Sequence, residues 1–450
     1  MATGITKNKW EDKTSIISDE IFDTSFDYKI SYKGKTPKKE LITDKPKEKY
    51  TEVFENNPDN KLFYGDNLDV LKHLIQNTKL KGKVKLIYID PPYGTNSVFY
   101  SRNQKSSYKD DLVGSHFIEF LRRRLILLRE LLSDDGSIYV HLDNNMIFES
   151  KLILDEVFGA KNFRGFITRR KCSNKNYTKN TYGNISDYII FYSKSDKYTW
   201  HRATFPWSEE KMKKEYPCID EKTGKRYKKV PVHAPGIRNG ETGKPWRGKM
   251  PPIGKHWQYT PKKLDAFDAN GDIYWSATGN PRRKVYFDKD KGVAVQDIWL
   301  DTQDSVNQNI KITGYPTEKN PFLIERIINA SSNEGDFVLD CFAGSGTTLD
   351  VANQLNRKWI GVDNSSEAIE NIFKRFFSGL EKMGDFVNGK AKKTNGSINQ
   401  MTLFEPQNKY NTKASKTDDF SFYSDERFLT EAIEASEKFK AKETINGHCG

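Results

Sequence analysis

Two short stretches hold the residue types that do chemistry. The first is Asp90-Pro91-Pro92-Tyr93, which ends the apolar run Leu86-Ile87-Tyr88-Ile89. The run reads as a buried strand of a parallel sheet, and two prolines cannot continue a central strand. A carboxylate, a rigid turn and an aromatic ring are therefore left at the carboxyl end of a strand, where open α/β sheets place their ligands. The exocyclic amino nitrogen of a nucleobase is a poor nucleophile, because its lone pair is delocalised into the ring. If the Asp90 carboxylate and the Pro91 carbonyl accept its two hydrogens, the pyramidal form that can attack a methyl group is stabilised by prealigned acceptors. Proline adds a fixed φ and no N–H, and the Tyr93 ring suits stacking on a base lifted out of its helix.

The second stretch is Asp340-Cys341-Phe342-Ala343-Gly344-Ser345-Gly346-Thr347. It follows the strand-like Phe337-Val338-Leu339 and opens a helix with apolar Leu349, Ala352 and Leu355. Trp359-Ile360-Gly361-Val362 is then a strand ending at Asp363. A tight glycine turn, a helix N-terminus and an acid roughly 20 residues on make a nucleoside-binding unit. A dinucleotide fingerprint wants a third glycine where Leu349 stands, and no G-x-x-x-x-G-K-[ST] exists, so NAD, FAD and P-loop ATP sites are disfavoured. Asp340 would repel a pyrophosphate but suits an α-ammonium group, which S-adenosylmethionine carries beside a ribose and no phosphate. Just upstream, Thr317 reads as the N-cap of a helix running to about Ser331. That places Lys319 near its first turn, against the macrodipole; meeting the cofactor's carboxylate is one reason for it, an ordinary surface lysine the other.

The surrounding pattern supplies elements to hold these stretches. Leu62-Phe63-Tyr64 is a short strand ending in Gly65-Asp66, followed by a helix with Leu68, Leu71, Leu74 and Ile75 on one face and Asn67 as its cap. From Ser115 a helix puts Phe117, Leu121, Leu125 and Leu128 on one face and Arg122, Arg123 and Arg129 on a solvated one, with Gly136 ending it. Strands at 137–142 and 187–192 flank a helix over 148–157. Strand, helix, strand, helix argues for a doubly wound, mostly parallel α/β sheet. Residues 95–112 make a long polar loop, read equally as an active-site lid or a plain surface loop.

The chain of 450 residues is polar, with a mean hydropathy of −0.77 and no long apolar span, so no membrane span and a cytoplasmic location are expected. Its net charge of +12 favours a polyanionic partner. Four scattered cysteines and seven histidines show no ligand spacing, so no metal is expected. A polar arm spans 1–58, the half of the sheet carrying Asp90 spans 59–194, a lobe of interleaved basic, aromatic, Pro and Gly residues spans 195–310, the half carrying the glycine turn spans 311–380, and a polar extension with a helix near Phe428, Leu429 and Ala432 spans 381–450. Arg169, Arg170, Lys171 and Lys175 lie in a stretch free of acids and suit a DNA-backbone track. Arg247, Arg282 and Arg283 sit among the lobe's aromatics, as groove contacts and stacking require. The lobe's helix is capped by Thr260, with Pro261 at N1 and Gly271 beyond its end.

Asp90-Pro-Pro-Tyr93 and Phe342-Ala-Gly-Ser-Gly346, in this order and with the lobe between them, resemble the amino-methyltransferases of bacterial restriction–modification systems, and their β group in particular. The resemblance covers roughly residues 60 to 380. It implies a Rossmann-like, circularly permuted S-adenosylmethionine-dependent methyltransferase sheet with an inserted target-recognition lobe. It implies catalytic roles for Asp90, Pro91, Pro92 and Tyr93. The methionine part of the cofactor would fall to Asp340, Phe342, Gly344, Gly346 and Thr347, its ribose to Asp363, its carboxylate to Lys319, and contact with the adenine ring to Asp66. Duplex DNA is the implied partner, with a cognate restriction endonuclease, for a monomer or homodimer. Asp at the head of the turn leans toward adenine N6, since cytosine-N4 enzymes more often carry Ser there. Cytosine N4, RNA, or an inactive DNA-binding specificity subunit stay open as alternatives. Cys341 departs from the commoner proline.

Overall fold

The computed structural model describes residues 30–92, 98–100, 106–109, 114–172, 180–303, 311–312, 318–378, 381–382 and 419–446. They fall into two compact units, one comprising the described residues of 30–203 and 296–446, the other residues 204–295.

The first unit is built on a ten-stranded sheet. Its strands are β1 Tyr50–Glu55, β2 Lys61–Tyr64, β3 Val84–Ile89, β4 Leu132–Leu142, β5 Phe163–Arg170, β6 Ser186–Ser193, β7 Ile298–Trp299, β8 Phe337–Asp340, β9 Lys358–Asp363 and β10 Ser421–Asp425. In space the order is β1-β10-β2-β9-β8-β3-β4-β6-β5-β7. The six strands from β10 to β4 run parallel. β1 and β6 run antiparallel to their neighbours. The near-continuous apolar sequence of β3 follows from its central place: Val84, Leu86, Ile87, Tyr88 and Ile89 are all buried. β8 lies directly beside it, Leu339 opposite Ile87, although some 250 residues separate them in sequence. Helices Asn67–Asn77, Ser115–Leu131 and Ile147–Phe158 deliver Leu71, Leu74, Leu121, Leu125, Leu128 and Leu154 to one continuous core with β3 and β4.

Several local expectations are revised. Asp66, not Asn67, caps the Asn67–Asn77 helix, its Oδ1 accepting the Leu68 N–H at 2.9 Å. The Ser115–Leu131 helix ends before extended Leu132, and Gly136 lies inside β4, where a Cβ would meet Leu132 Cδ2 at 2.8 Å and Lys85 O at 3.0 Å. Arg122 is not on a solvated face; it is buried, its Nε donating to Glu156 at 2.6 Å and its Nη1 to the Thr36 carbonyl at 2.8 Å. The basic stretch at 163–170 is strand β5, paired with β6. β1 and β10 bring pieces of the polar arm and of the C-terminal extension into the sheet, and a helix follows at Leu429–Asn446. Helix Pro321–Ser331 is capped by Asn320, so Lys319 precedes the cap; Thr317 lies outside the described residues. Of residues 95–112, Val98–Tyr100 and Ser106–Lys109 pair antiparallel, and the rest lies outside the described residues.

The second unit holds a four-stranded antiparallel sheet made of Cys218–Ile219, Arg226–Pro231, Pro281–Tyr286 and Ile273–Trp275. Helix Pro261–Ala269 is capped by Thr260 as its sequence dictates, and Gly271 takes φ +78° just past its end. Trp246 and Trp257 pack with Val232, Leu264 and Ile273 into a small core, and Trp275 stacks on Trp246 at 5.2 Å. Part of the lobe's aromatic content is thus spent on holding it together.

Candidate functional site

Four neighbouring parallel strands, β2, β9, β8 and β3, each deliver an aspartate at or just beyond the carboxyl end: Asp66, Asp363, Asp340 and Asp90. Open parallel sheets bind ligands at this edge. The four line one cavity of about 420 Å³ together with Pro91, Pro92, Phe342, Gly344 and Thr347, and with Lys319 and Arg124 as its basic side chains. The two stretches singled out in the sequence therefore form one site.

The glycine turn is shaped by both its strands. Phe342 N–H donates to Asp340 Oδ1 at 3.0 Å, Gly344 N–H to Asp363 Oδ2 at 2.8 Å, and Ala343 N–H to the Val362 carbonyl at 3.0 Å. Gly346 caps the Thr347–Gln354 helix with φ +74°, and a Cβ there would lie 2.9 Å from Ile372 Cγ1. Both constraints exclude a side chain. Gly346 shapes the turn without lining the cavity; Asp340, Phe342, Gly344, Thr347 and Asp363 line it.

The electrostatics favour a cationic guest. Burial pushes the Asp340 carboxyl up to about 7; the Asp90 and Asp363 carboxylates push the same way, against the Thr348 hydroxyl and the Phe342 N–H. Burial also raises Asp363, opposed by the N–H groups of Gly344 and Ser365. Asp90 is held by Lys319, Nζ to Oδ2 2.5 Å. A 3% exposed carboxyl pushed up by burial, with neighbouring acids adding to the push, is the partner an ammonium group would complete. The site thus fits a ligand with a positive charge at Asp340, hydroxyls at Asp363 and a carboxylate within reach of a lysine. S-adenosylmethionine has these three features.

Sequence reasoning missed several supports. Arg124, on the Ser115–Leu131 helix, is buried; its Nη2 lies 3.5 Å from Asp66 Oδ2 and its guanidinium bonds the Asn67 side chain, which donates to the Cys341 carbonyl at 2.7 Å. Arg375 is 1% exposed and binds Glu318, Asp350 (3.3 Å), Thr347 Oγ1 (3.1 Å) and the Ser345 carbonyl (2.7 Å), joining the segment before Lys319 to the glycine turn. Behind β3, the Tyr88 hydroxyl lies 2.7 Å from His141 Nδ1. These partners are dozens to hundreds of residues apart, and no local pattern announces them.

The DNA-facing candidates separate. Arg169 is a correction: it is fully buried, its Nε donating to Asp187 Oδ1 at 2.9 Å, so it reaches no phosphate. Burial alone would raise Asp187, but His141 and Arg169, with Lys319 beyond them, hold it well below the usual carboxylate range. Arg170 and Lys171 are half-buried at the end of β5. In the second unit Arg282 is exposed, and Arg247 is exposed with φ +51° and bonds Asp268. Arg283 is half-buried and bonds the Tyr259 hydroxyl at 2.6 Å. Lys175 and Tyr93 lie outside the described residues. Among the described residues no helix is long and apolar enough to cross a membrane.

The sequence is similar to known proteins. A family described as DNA methylase matches residues 84–375. The type II methyltransferase M.EcaI of Enterobacter cloacae is 48% identical over 381 residues, covering 84% of this chain and 81% of that protein. The Mod subunit of the type III restriction-modification enzyme StyLTI of Salmonella typhimurium is 29% identical over 377 residues, covering 74% of this chain and 56% of that protein. A solved putative DNA modification methylase of Thermus thermophilus, complexed with S-adenosyl-L-methionine, superposes with a TM-score of 0.37 at 16% identity, covering 71% of this chain and 94% of that one.

Proposed function

Because the chain belongs to the DNA methylase family, a group that methylates DNA in restriction–modification systems, we propose that it transfers the methyl group of S-adenosylmethionine to the N6 amine of an adenine in duplex DNA. The observation that carries this reading is the convergence of Asp90 and Asp340, from adjacent strands, on one acid-lined cavity. S-adenosylmethionine supplies an electrophilic methyl group on a sulfonium. The chain's own residues do the rest. Asp340 pairs with the α-ammonium, Asp363 accepts from the ribose hydroxyls, and the Asp66 region borders the adenine ring. Lys319 turns to the carboxylate end, which leaves Asp90 open to the incoming amine.

Asp90 and the Pro91 carbonyl then accept the two amine hydrogens and favour a nitrogen with its lone pair available. Pro92 fixes the turn, and Tyr93 stacks on the base once it leaves the helix. Much of the rate comes from positioning. The carboxylate at the head of the turn favours adenine over cytosine. Arg170, Lys171, Arg247 and Arg282 are assigned to the DNA backbone, and the 204–295 unit to reading the target sequence. A cognate endonuclease completes the system.

The test is to incubate the protein with unmethylated duplex DNA and S-adenosylmethionine, digest to nucleosides and identify the product by mass spectrometry. N6-methyladenine is expected. N4-methylcytosine would overturn the target assignment, and no modified base would overturn the activity.

A further inference from the structure

A file of polar side chains leaves the cavity and crosses four neighbouring strands, β3, β4, β6 and β5. Tyr88 on β3 lines the cavity. Its hydroxyl lies 2.7 Å from His141 Nδ1 on β4, and His141 Nε2 lies 3.0 Å from Asp187 Oδ2 on β6. Asp187 Oδ1 accepts from Arg169 Nε on β5 at 2.9 Å. The four residues are 1%, 0%, 3% and 0% exposed. Apolar side chains would fill the same space without desolvating two charges, so the file calls for a role.

The Arg169 guanidinium balances the Asp187 carboxylate, which stands 3.0 Å from His141 Nε2 and holds the imidazole from its far side. The Tyr88 hydroxyl shares one hydrogen bond with His141 Nδ1. Tied by that bond, the phenol has one orientation. Side chains alternate along a strand, so Tyr88 faces the same way as Asp90 two residues on. The Tyr88 ring is thus a wall whose position is fixed from behind, next to the turn that presents Asp90 and the Pro91 carbonyl.

We propose that His141, Asp187 and Arg169 are positioning residues for methyl transfer: they lock Tyr88 against the Asp90–Pro91 turn and so set where the two amine acceptors stand. The inference rests on the reading of Asp90 as an acceptor for the amine. Asp340 and Asp363, assigned to the cofactor's ammonium and ribose, lie on β8 and β9, off this file, and Lys319 meets the file at Asp187, so changes at Tyr88 and His141 act on the transfer step and not on cofactor affinity.

The experiment is single-turnover methyl transfer to duplex DNA by the full chain, with S-adenosylhomocysteine affinity measured in parallel. Tyr88→Phe keeps the ring and removes one hydrogen bond; transfer slows roughly tenfold, while S-adenosylhomocysteine affinity stays within about twofold. His141→Ala slows transfer at least as much, and His141→Asn, whose amide oxygen can accept from Tyr88, recovers part of the loss. The double variant Tyr88→Phe with His141→Ala is no slower than His141→Ala alone, because one interaction is removed twice. Should His141→Ala fail to fold, Tyr88→Phe carries the test. A Tyr88→Phe enzyme at the parent rate, or losses that multiply in the double variant, would overturn the positioning role. Unimpaired transfer by Asp90→Ala would instead overturn the reading beneath it.

Discussion

With Asp340 assigned to the cofactor's ammonium group, cofactor binding should follow the titration of one carboxyl. The Asp340 carboxyl is pushed up to about 7 by burial among other acids, and the ionised form is the one that pairs with an ammonium group. At pH 7 about half of the free protein is ready to bind, at pH 6 about one eleventh, and at pH 5 about one hundredth. Affinity for S-adenosylhomocysteine, which keeps the ammonium group and lacks the methyl, should fall about fivefold from pH 7 to pH 6 and about tenfold more by pH 5. The whole span is about 2.3 kcal/mol. Binding at pH 7 should release about half a proton, rising to about 0.9 at pH 6. Isothermal titration calorimetry in two buffers of different ionisation enthalpy reads both quantities. In Asp340→Asn the slope and the proton release should vanish together, with weaker binding at pH 7. Affinity that stays level between pH 5 and pH 7, with no proton released, would refute the assignment of Asp340 to the ammonium group.

The same carboxyl bears on stability with the opposite sense. Raised above its ordinary value of 3.8, it favours folding below about pH 4, and this contribution is lost as pH rises to about 7. Differential scanning calorimetry of ligand-free Asp340→Asn should show little gain at pH 4 and a gain of up to about 4 kcal/mol above pH 7. Asp90→Ala should abolish methyl transfer to DNA while leaving S-adenosylhomocysteine bound, as an equilibrium binding assay would show. Gly346→Ala places a Cβ in a left-handed conformation 2.9 Å from Ile372; urea denaturation should register a loss of about 1–2 kcal/mol or more. Arg375→Met leaves Glu318 and Asp350 without their buried partner and should cost about 3–5 kcal/mol, read from the same denaturation midpoint.

How far the sequence carries can be seen residue by residue. Asp90 and Asp340 are legible because each closes an apolar strand and sits in a turn whose proline or glycine content has a mechanical cause. Thr260 and Pro261 are legible because capping is local. Asp66 and Asn67 differ by one position, and helix caps shift that easily. Arg169 misleads because a basic stretch looks alike whether its arginines face solvent or, at alternate positions of a strand, the interior; its partner Asp187 is on the next strand. Arg124 and Arg375 escape for the same reason, since each answers a charge that only folding brings near. β1 escapes because an edge strand half open to water keeps a polar sequence, and β10 because Ser421, Ser424 and Asp425 are polar although buried between β1 and β2.

The pairing of β1 with β10 joins residues 50–55 to residues 421–425. The first and last strands of the sheet in chain order are therefore neighbours, and β10 also shields the outer edge of β2, the strand that leads to Asp66. Trimming the chain back to residues 60–380 would not remove a tail; it would bare a run of unpaired β2 backbone beside the cavity and invite another chain to zip onto it. A minimal version of this protein has to keep both ends or stitch them together. Because the ends already meet, a short loop linking 425 to 50, with the chain reopened elsewhere, would leave the order of strands unchanged.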